Sequence, residues 1–173
     1  MIIRYILVFI LFWNFLDAFE LEDIKNLNIY NIKGNFTQEK ILKGYNQTLT
    51  TKGIFELKNN ELYWTTQVPF LSPLKITQEG VWQYKNNQWE KINQKYDKEL
   101  FLSLVYLDFE KLKKQFEIKL EGNFQQWNIE LLPKDLWLKK IFSSIQIQGG
   151  DFITRMTLYE KNGDTTINTF FVP

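Results

Sequence analysis

Neither cysteine nor histidine occurs among the 173 residues. Their absence removes thiolate and imidazole catalysis, the usual zinc sites and every disulfide. It also removes the acylated cysteine by which a lipoprotein is anchored. Zero cysteine does not point to the cytoplasm, because oxidising compartments permit disulfides without requiring them. Charge of one sign is not in excess: 21 Lys plus Arg stand against 20 Asp plus Glu. A chain so balanced projects no broad positive field toward nucleic acid or an anionic membrane face. Repeats, low-complexity runs and linker-like stretches are missing as well, which leaves one folded body as the expectation.

The remaining inventory is equally poor in catalytic groups. Ser72, Ser103, Ser143 and Ser144 lie in no nucleophile elbow, and no imidazole exists to activate them. Glu20, Glu22 and Asp23 form an acidic cluster that suits the solvated start of a helix. A carboxylate pair assembled by folding is the one arrangement the inventory leaves open. No catalytic residue, metal site or cofactor is therefore expected.

What the chain has in abundance is apolar and aromatic surface. Hydrophobic residues make up 45% of it and aromatic residues 17%, from 15 Phe, 8 Tyr and 6 Trp. Rings in that number favour β structure. They serve equally well as a plain β core or as the lining of a ligand cavity.

Met1 to Arg4 is a short basic start, Tyr5 to Phe15 is an apolar run, and Asp17 and Ala18 follow before the charged stretch at Glu20. This is the layout of an export signal. The run is shorter than the roughly 20 residues that span a bilayer. Cleavage after Ala18 is expected, although Leu16 fits such a site poorly and an uncleaved N-terminal anchor stays open. Residues 1–18 are thus read as a signal peptide, 19–173 as a single domain, and the compartment as the periplasm.

Downstream, periodicity carries the reading. Leu21, Ile24 and Leu27 give a short amphipathic helix over 20–28. From Tyr30 the period becomes two, with Ile32, Gly34, Phe36 and Gln38 on one face. Leu49, Thr51, Gly53, Phe55 and Leu57 repeat it, and Lys58-Asn59-Asn60-Glu61 turns into Leu62, Trp64 and Thr66. Pro69 and Pro73 bracket a loop feeding Leu74 and Ile76; Glu79-Gly80 and Lys85-Asn86-Asn87 then punctuate strands at 81–84 and 88–92. Between Asp97 and Gln115 the spacing is helical, with Asp108 as a second cap. The segment from Leu100 to Leu107 is apolar nearly all round apart from Ser103, so both of its sides need cover. Strands return at 116–120 and 127–131, Pro133 stops the second, 134–140 suits one helical turn, and a meander over 141–148, 152–160 and 165–172 closes the chain. About ten strands with helices inserted mid-chain predict a mainly β, α+β fold. Its sheet is antiparallel and strongly curved, an incomplete barrel with short helices as a lid on the concave side. Gly34 and Gly53 are placed to relieve crowding where such strands bend, and Gly122 suits that role and a turn equally.

Phe36-Thr37-Gln38, Gly53-Ile54-Phe55, Leu62-Tyr63-Trp64, Pro69, Ile76 and Gly80-Val81-Trp82-Gln83-Tyr84 occur in an order that resembles the outer-membrane lipoprotein carrier family, LolA. Pro133-Lys134-Asp135-Leu136, Ile145-Gln146-Ile147 and Gly163-Asp164-Thr165 are similar to a divergent branch of it. The resemblance implies an unclosed barrel whose helices cap a hydrophobic cavity for lipoprotein acyl chains. It also implies two partners, an inner-membrane exporter and an outer-membrane acceptor. Members often carry an Arg-Pro pair before the Trp strand, whose Arg latches the lid. Here the stretch reads Leu57-Lys58-Asn59-Asn60-Glu61-Leu62, so Lys58 is the candidate latch, a point charge without the planar fork of Arg.

An acyl chain gains about 0.8 kcal/mol for each CH2 removed from water, so a carrier needs an extended apolar lining and a cover that opens. The candidate lining is Phe36, Phe55, Leu57, Trp64, Leu74, Ile76 and Trp82 on the sheet, with Leu100, Phe101 and Leu104 on the lid. Large rings such as Trp64 and Trp82 can build walls without filling the middle, but the same positions also suit a solid core. The cargo stays open between lipoprotein and another lipid or glycolipid. A non-enzymatic interaction module is the remaining alternative. A monomer that binds no nucleic acid is expected.

Overall fold

A computed structural model describes residues 19–25, 27, 31–45, 47–92 and 97–173. The export signal expected over 1–18 lies outside the described residues, as does part of the helix expected over 20–28. The described part of that helix is α1 (Leu21–Lys25). Strands β1 (Ile32–Ile41), β2 (Thr48–Lys58), β3 (Glu61–Val68), β4 (Ser72–Thr77), β5 (Gly80–Lys85) and β6 (Gln88–Ile92) form a meander. Helices α2 (Lys98–Val105) and α3 (Phe109–Gln115) follow. A second meander then runs through β7 (Phe116–Asn123), β8 (Gln126–Pro133), the single turn α4 (Leu138–Ile141), β9 (Phe142–Gly149), β10 (Ile153–Glu160) and β11 (Thr165–Phe171).

All eleven strands share one antiparallel sheet in the order β6-β5-β4-β3-β2-β1-β11-β10-β9-β8-β7. The halves join where β1 pairs with β11, from Asn35 opposite Phe171 to Ile41 opposite Thr165. Among the described residues β6 and β7 remain as unpaired edges, so the expected curved sheet forms and stays unclosed. Laid flat, β3 and β8 would stand roughly 29 Å apart at about 4.8 Å per strand spacing. Their Trp64 and Ile129 nonetheless belong to one apolar cluster with the helices between them.

Local chemistry sets the turns. Asn59 and Asn60 have φ of 55° and 60°, and Asn86 and Asn87 have 50° and 64°. Two successive left-handed residues make the tight hairpin turn that matches strand twist, and Asn tolerates this conformation better than most residues. Pro73 is taken into β4 instead of bracketing a loop. It occupies the second position of that strand, where a missing N–H is tolerated.

The helical stretch divides as its acids suggest: the Asp97 and Asp108 side chains accept from the amides of Leu100 and Lys111 at the starts of α2 and α3. Between the helices, Leu107 adopts φ of 50°, and the Asp108 amide reaches back to the Ser103 carbonyl at 2.9 Å. This is the helix stop that glycine usually makes. Leucine holds the position because its side chain is buried. The turn expected over 134–140 forms later, as α4, because the Asp135 carboxylate accepts from the Trp137 and Leu138 amides and starts the helix beyond itself.

At the seam of the two halves, Asp164 accepts from the Lys43 amide at 2.9 Å. That hydrogen bond, with those from Asn162 and the Lys40 charge, holds the Asp164 carboxyl below the usual carboxylate range. A depressed folded-state value contributes stability above the unfolded carboxylate value and loses it as pH falls through the folded one. Asp164→Asn is accordingly expected to melt lower than the wild type at neutral pH and to converge with it in acid. Thermal unfolding followed against pH checks this, and parallel curves would contradict it.

Candidate functional site

The concave face follows from strand parity. Gly53, Phe55 and Leu57 are buried along β2 while Ile54, Glu56 and Lys58 are exposed. Trp127, Ile129 and Leu131 repeat the pattern along β8. Phe36, Phe55, Leu57 and Trp64, together with Leu100 and Leu104 of α2, are buried in one cluster, and Leu74, Ile76 and Phe101 pack against it partly buried. The structure therefore brings nine of the ten proposed lining residues together.

The tenth, Trp82, lies on the other face. It pairs with Lys75 across the β4–β5 ladder, whereas Val81 pairs with the inward-facing Ile76. A one-residue difference in position reverses the face, so Val81 and not Trp82 stands on the concave side. On the convex side the Trp82 indole donates to Thr77 Oγ1 at 3.4 Å. Lys75 Nζ sits 5.6 Å from its ring centre, as does Lys91 Nζ.

Aromatic rings dominate the first half of the concave face. Phe36 stacks on Trp64 with centroids 3.7 Å apart and planes at 26°. Phe170 meets the edge of Phe55 at 5.2 Å and that of Trp64 at 6.2 Å, and Phe101 reaches Trp64 from the lid at 6.5 Å. Gly53 makes room for this stack: a Cβ there would sit 2.8 Å from the Phe36 ring and collide with the Thr65 carbonyl. Toward the other end of the strands the face turns polar, where Gln38 donates to Asn168 at 2.8 Å.

In this closed form the rings fill the middle instead of walling a hollow. The apolar pocket among Phe55, Leu57, Trp64, Val105, Ile153 and Phe170 holds ≈ 20 Å³, room for about one water. A larger, more polar cleft of ≈ 560 Å³ lies beside the lid, between α1, α2, α3 and the β2–β3 turn, with Lys25, Lys98 and Asn60 among its walls. Space for hydrocarbon under the lid thus requires α2 and α3 to move.

The lid is fastened largely by apolar contact. Leu100, Leu102, Leu104, Val105, Leu107, Phe109 and Leu112 are all buried, which explains a segment apolar on every side. Ser103, also buried, donates to the Glu99 carbonyl at 2.7 Å within the helix. A polar fastening comes from Tyr106, whose hydroxyl donates to the Glu61 carbonyl at 2.8 Å. Lys58, the candidate latch, is exposed on the convex side of β2, and no ion pair or hydrogen bond of its side chain occurs among the described residues. Its place in the strand alternation points it away from the lid, where the Tyr106 hydroxyl, and not Lys58, bonds the sheet.

Sequence reasoning passed over Val105 and Phe170 in the pocket, and the concave residues of β8 to β10: Ile129, Leu131, Ile145, Ile147 and Met156. Alternation at 127–131 and 145–147 was a usable signal for most of these.

The family model described as outer membrane lipoprotein carrier protein LolA matches residues 28–172. The chain belongs to the LolA family. Solved structures similar to this LolA chain include a LolA superfamily protein from Nitrosomonas europaea. It is 9% identical over 87% of this chain and 89% of that one, with a TM-score of 0.49. The Mycobacterium tuberculosis lipoprotein LppX is 8% identical over 87% and 92%, with a TM-score of 0.45. No curated protein matches the sequence. Among the described residues of this LolA chain no group of Asp or Glu is arranged to hold a metal ion.

Proposed function

We propose that this chain is a non-enzymatic periplasmic carrier, exported by its N-terminal segment, with residues 19–173 acting as one carrier domain. It holds the acyl chains of a lipoprotein between the concave sheet and the lid. As a monomer it passes them from an inner-membrane exporter to an outer-membrane acceptor. The observation that carries this reading is an apolar concave surface shared by both halves of the sheet and covered by a separately capped helical pair. Membership of the LolA family supports it independently.

A filled closed state is compatible with carrying. Cargo entry exchanges lid and ring contacts for hydrocarbon contacts, each CH2 contributing about 0.8 kcal/mol. Net affinity is the difference between that gain and the cost of opening, which lets a strongly apolar cargo leave again. If Tyr106 sets part of that cost, Tyr106→Phe should lower it by about 0.5–1.5 kcal/mol, the usual net worth of a hydrogen bond. Amides of α2 and α3 would then exchange hydrogen up to roughly tenfold faster. Exchange at the wild-type rate would show that the bond holds nothing shut.

A second cargo, another lipid or glycolipid, is favoured by the position of Lys58, which leaves the lid without the cationic latch that the family resemblance implies. Native mass spectrometry of the protein purified from the periplasm separates the readings. Co-purified lipoprotein supports the first and other lipid the second. A protein that stays empty, and that takes up no fatty acid when offered one, opposes both.

A further inference from the structure

Strand directions bring four connections to one end of the first half-sheet: β1 to β2, β3 to β4, β5 to β6 and, across the seam, β10 to β11. That end is unusually apolar for a surface. Phe70 is 80% exposed, Leu71 72% and Tyr45 70%, and Leu49, Val68, Tyr84 and Trp89 stand beside them exposed. None of these rings or aliphatic chains belongs to the core cluster. Exposed apolar residues brought to one end of a sheet in this number mark an interaction surface.

Charge selects the partner. From Ile41 to Lys52, from Thr66 to Ser72 and from Tyr84 to Trp89, the sequence carries Lys43, Lys52 and Lys85 and no Asp or Glu. All three lysines are exposed. The neighbouring acids on the β10–β11 turn, Glu160 and Asp164, are engaged by Lys40 at 2.9 and 3.8 Å. Summed over the chain the charges come to +1; at this end lysine is in clear excess. Exposed Phe, Leu, Tyr and Trp among uncompensated lysines is the composition that seats in the headgroup layer of a bilayer, rings at the interface and ammonium groups on lipid phosphates.

We propose that this end of the sheet is a docking tip for an anionic lipid bilayer. Its contacts are Tyr45, Phe70 and Leu71, with Lys43, Lys52 and Lys85 supplying charge complementarity. The tip lies at the opposite end of the strands from the Tyr106–Glu61 fastening, so docking leaves the lid free to open. The proposal stands apart from the cargo reading and survives if the cargo proves different.

A chain without cysteine makes the test direct. Gln47→Cys at the tip and Glu79→Cys on the β4–β5 turn at the far end each give one attachment point for an environment-sensitive dye in the full chain. Vesicles of phosphatidylethanolamine with phosphatidylglycerol should blue-shift the dye at 47 and not at 79, and phosphatidylcholine vesicles should shift neither. Adding salt should weaken the response. Phe70→Ser with Leu71→Ser, at exposed positions that leave the melting temperature unchanged, should cost roughly tenfold or more in vesicle affinity. Equal shifts at both positions, as attachment through the N-terminal run would give, overturn the proposal. So does unchanged affinity in the double variant. A shift at 47 on concentrating the protein without vesicles identifies a second copy as the occupant and also overturns it.

Discussion

Leu104→Asp is expected to abolish uptake of a fluorescent fatty acid while far-UV circular dichroism still reports the sheet. Leu104 is 2% exposed at the centre of the lid contact. Its surroundings are the apolar side chains of the core cluster, which offer a carboxylate no partner. Burying an unpaired carboxylate costs several kcal/mol after relaxation, on top of the lost burial of the leucine, about 1.5–3 kcal/mol. That penalty is relieved where α2 loosens from the sheet and admits water, so a lid that no longer seals is the expected result. Each strand pair is held by its own ladder, so strand signal should persist while limited proteolysis cuts within 98–115. Leu104→Ala is the companion variant, expected to cost about 2–5 kcal/mol without a charge and to retain uptake. Wild-type affinity in Leu104→Asp would remove the lid from the mechanism.

Phe36→Ala should act in the opposite direction on binding. Deleting a buried phenylalanine costs about 3–5 kcal/mol, and part of it here is the stacked contact with Trp64, a kind of pair worth about 0.5–1.5 kcal/mol beyond burial. Urea unfolding measures that loss. The variant also empties space beside a pocket that now holds ≈ 20 Å³. If the rings occupy the place of the cargo, fatty-acid affinity rises even as stability falls. Affinity and stability falling together would instead make Phe36 a wall that the cargo touches.

Several features of the chain were legible before folding because they rest on local chemistry. Alternation along 49–57 and 127–131 placed strands and their inward faces; Asp97 and Asp108 marked the helix starts. Paired asparagines at 59–60 and 86–87 marked the hairpins. The concave face was legible where parity could be read from a long strand, as at Phe36, Phe55, Leu57 and Trp64. It failed at Trp82, in a short strand after the Glu79-Gly80 turn, where a single step reverses the face and composition gives no warning. Lys58 failed for the same reason, since a latch must point inward and β2 parity points it out.

By itself the sequence determined what is periodic and what is absent: strands, caps, turns, an apolar lid segment, and a chemistry without thiol or imidazole. These depend on neighbours within a few residues or on inventory alone. Tertiary structure decided how the two meanders join through β1 and β11, which side Trp82 occupies, that Tyr106 finds the Glu61 carbonyl, and that the rings close over their own pocket. Each of those depends on residues tens of positions apart meeting at a set register, and pairing across such distances is fixed by the packing of the whole sheet.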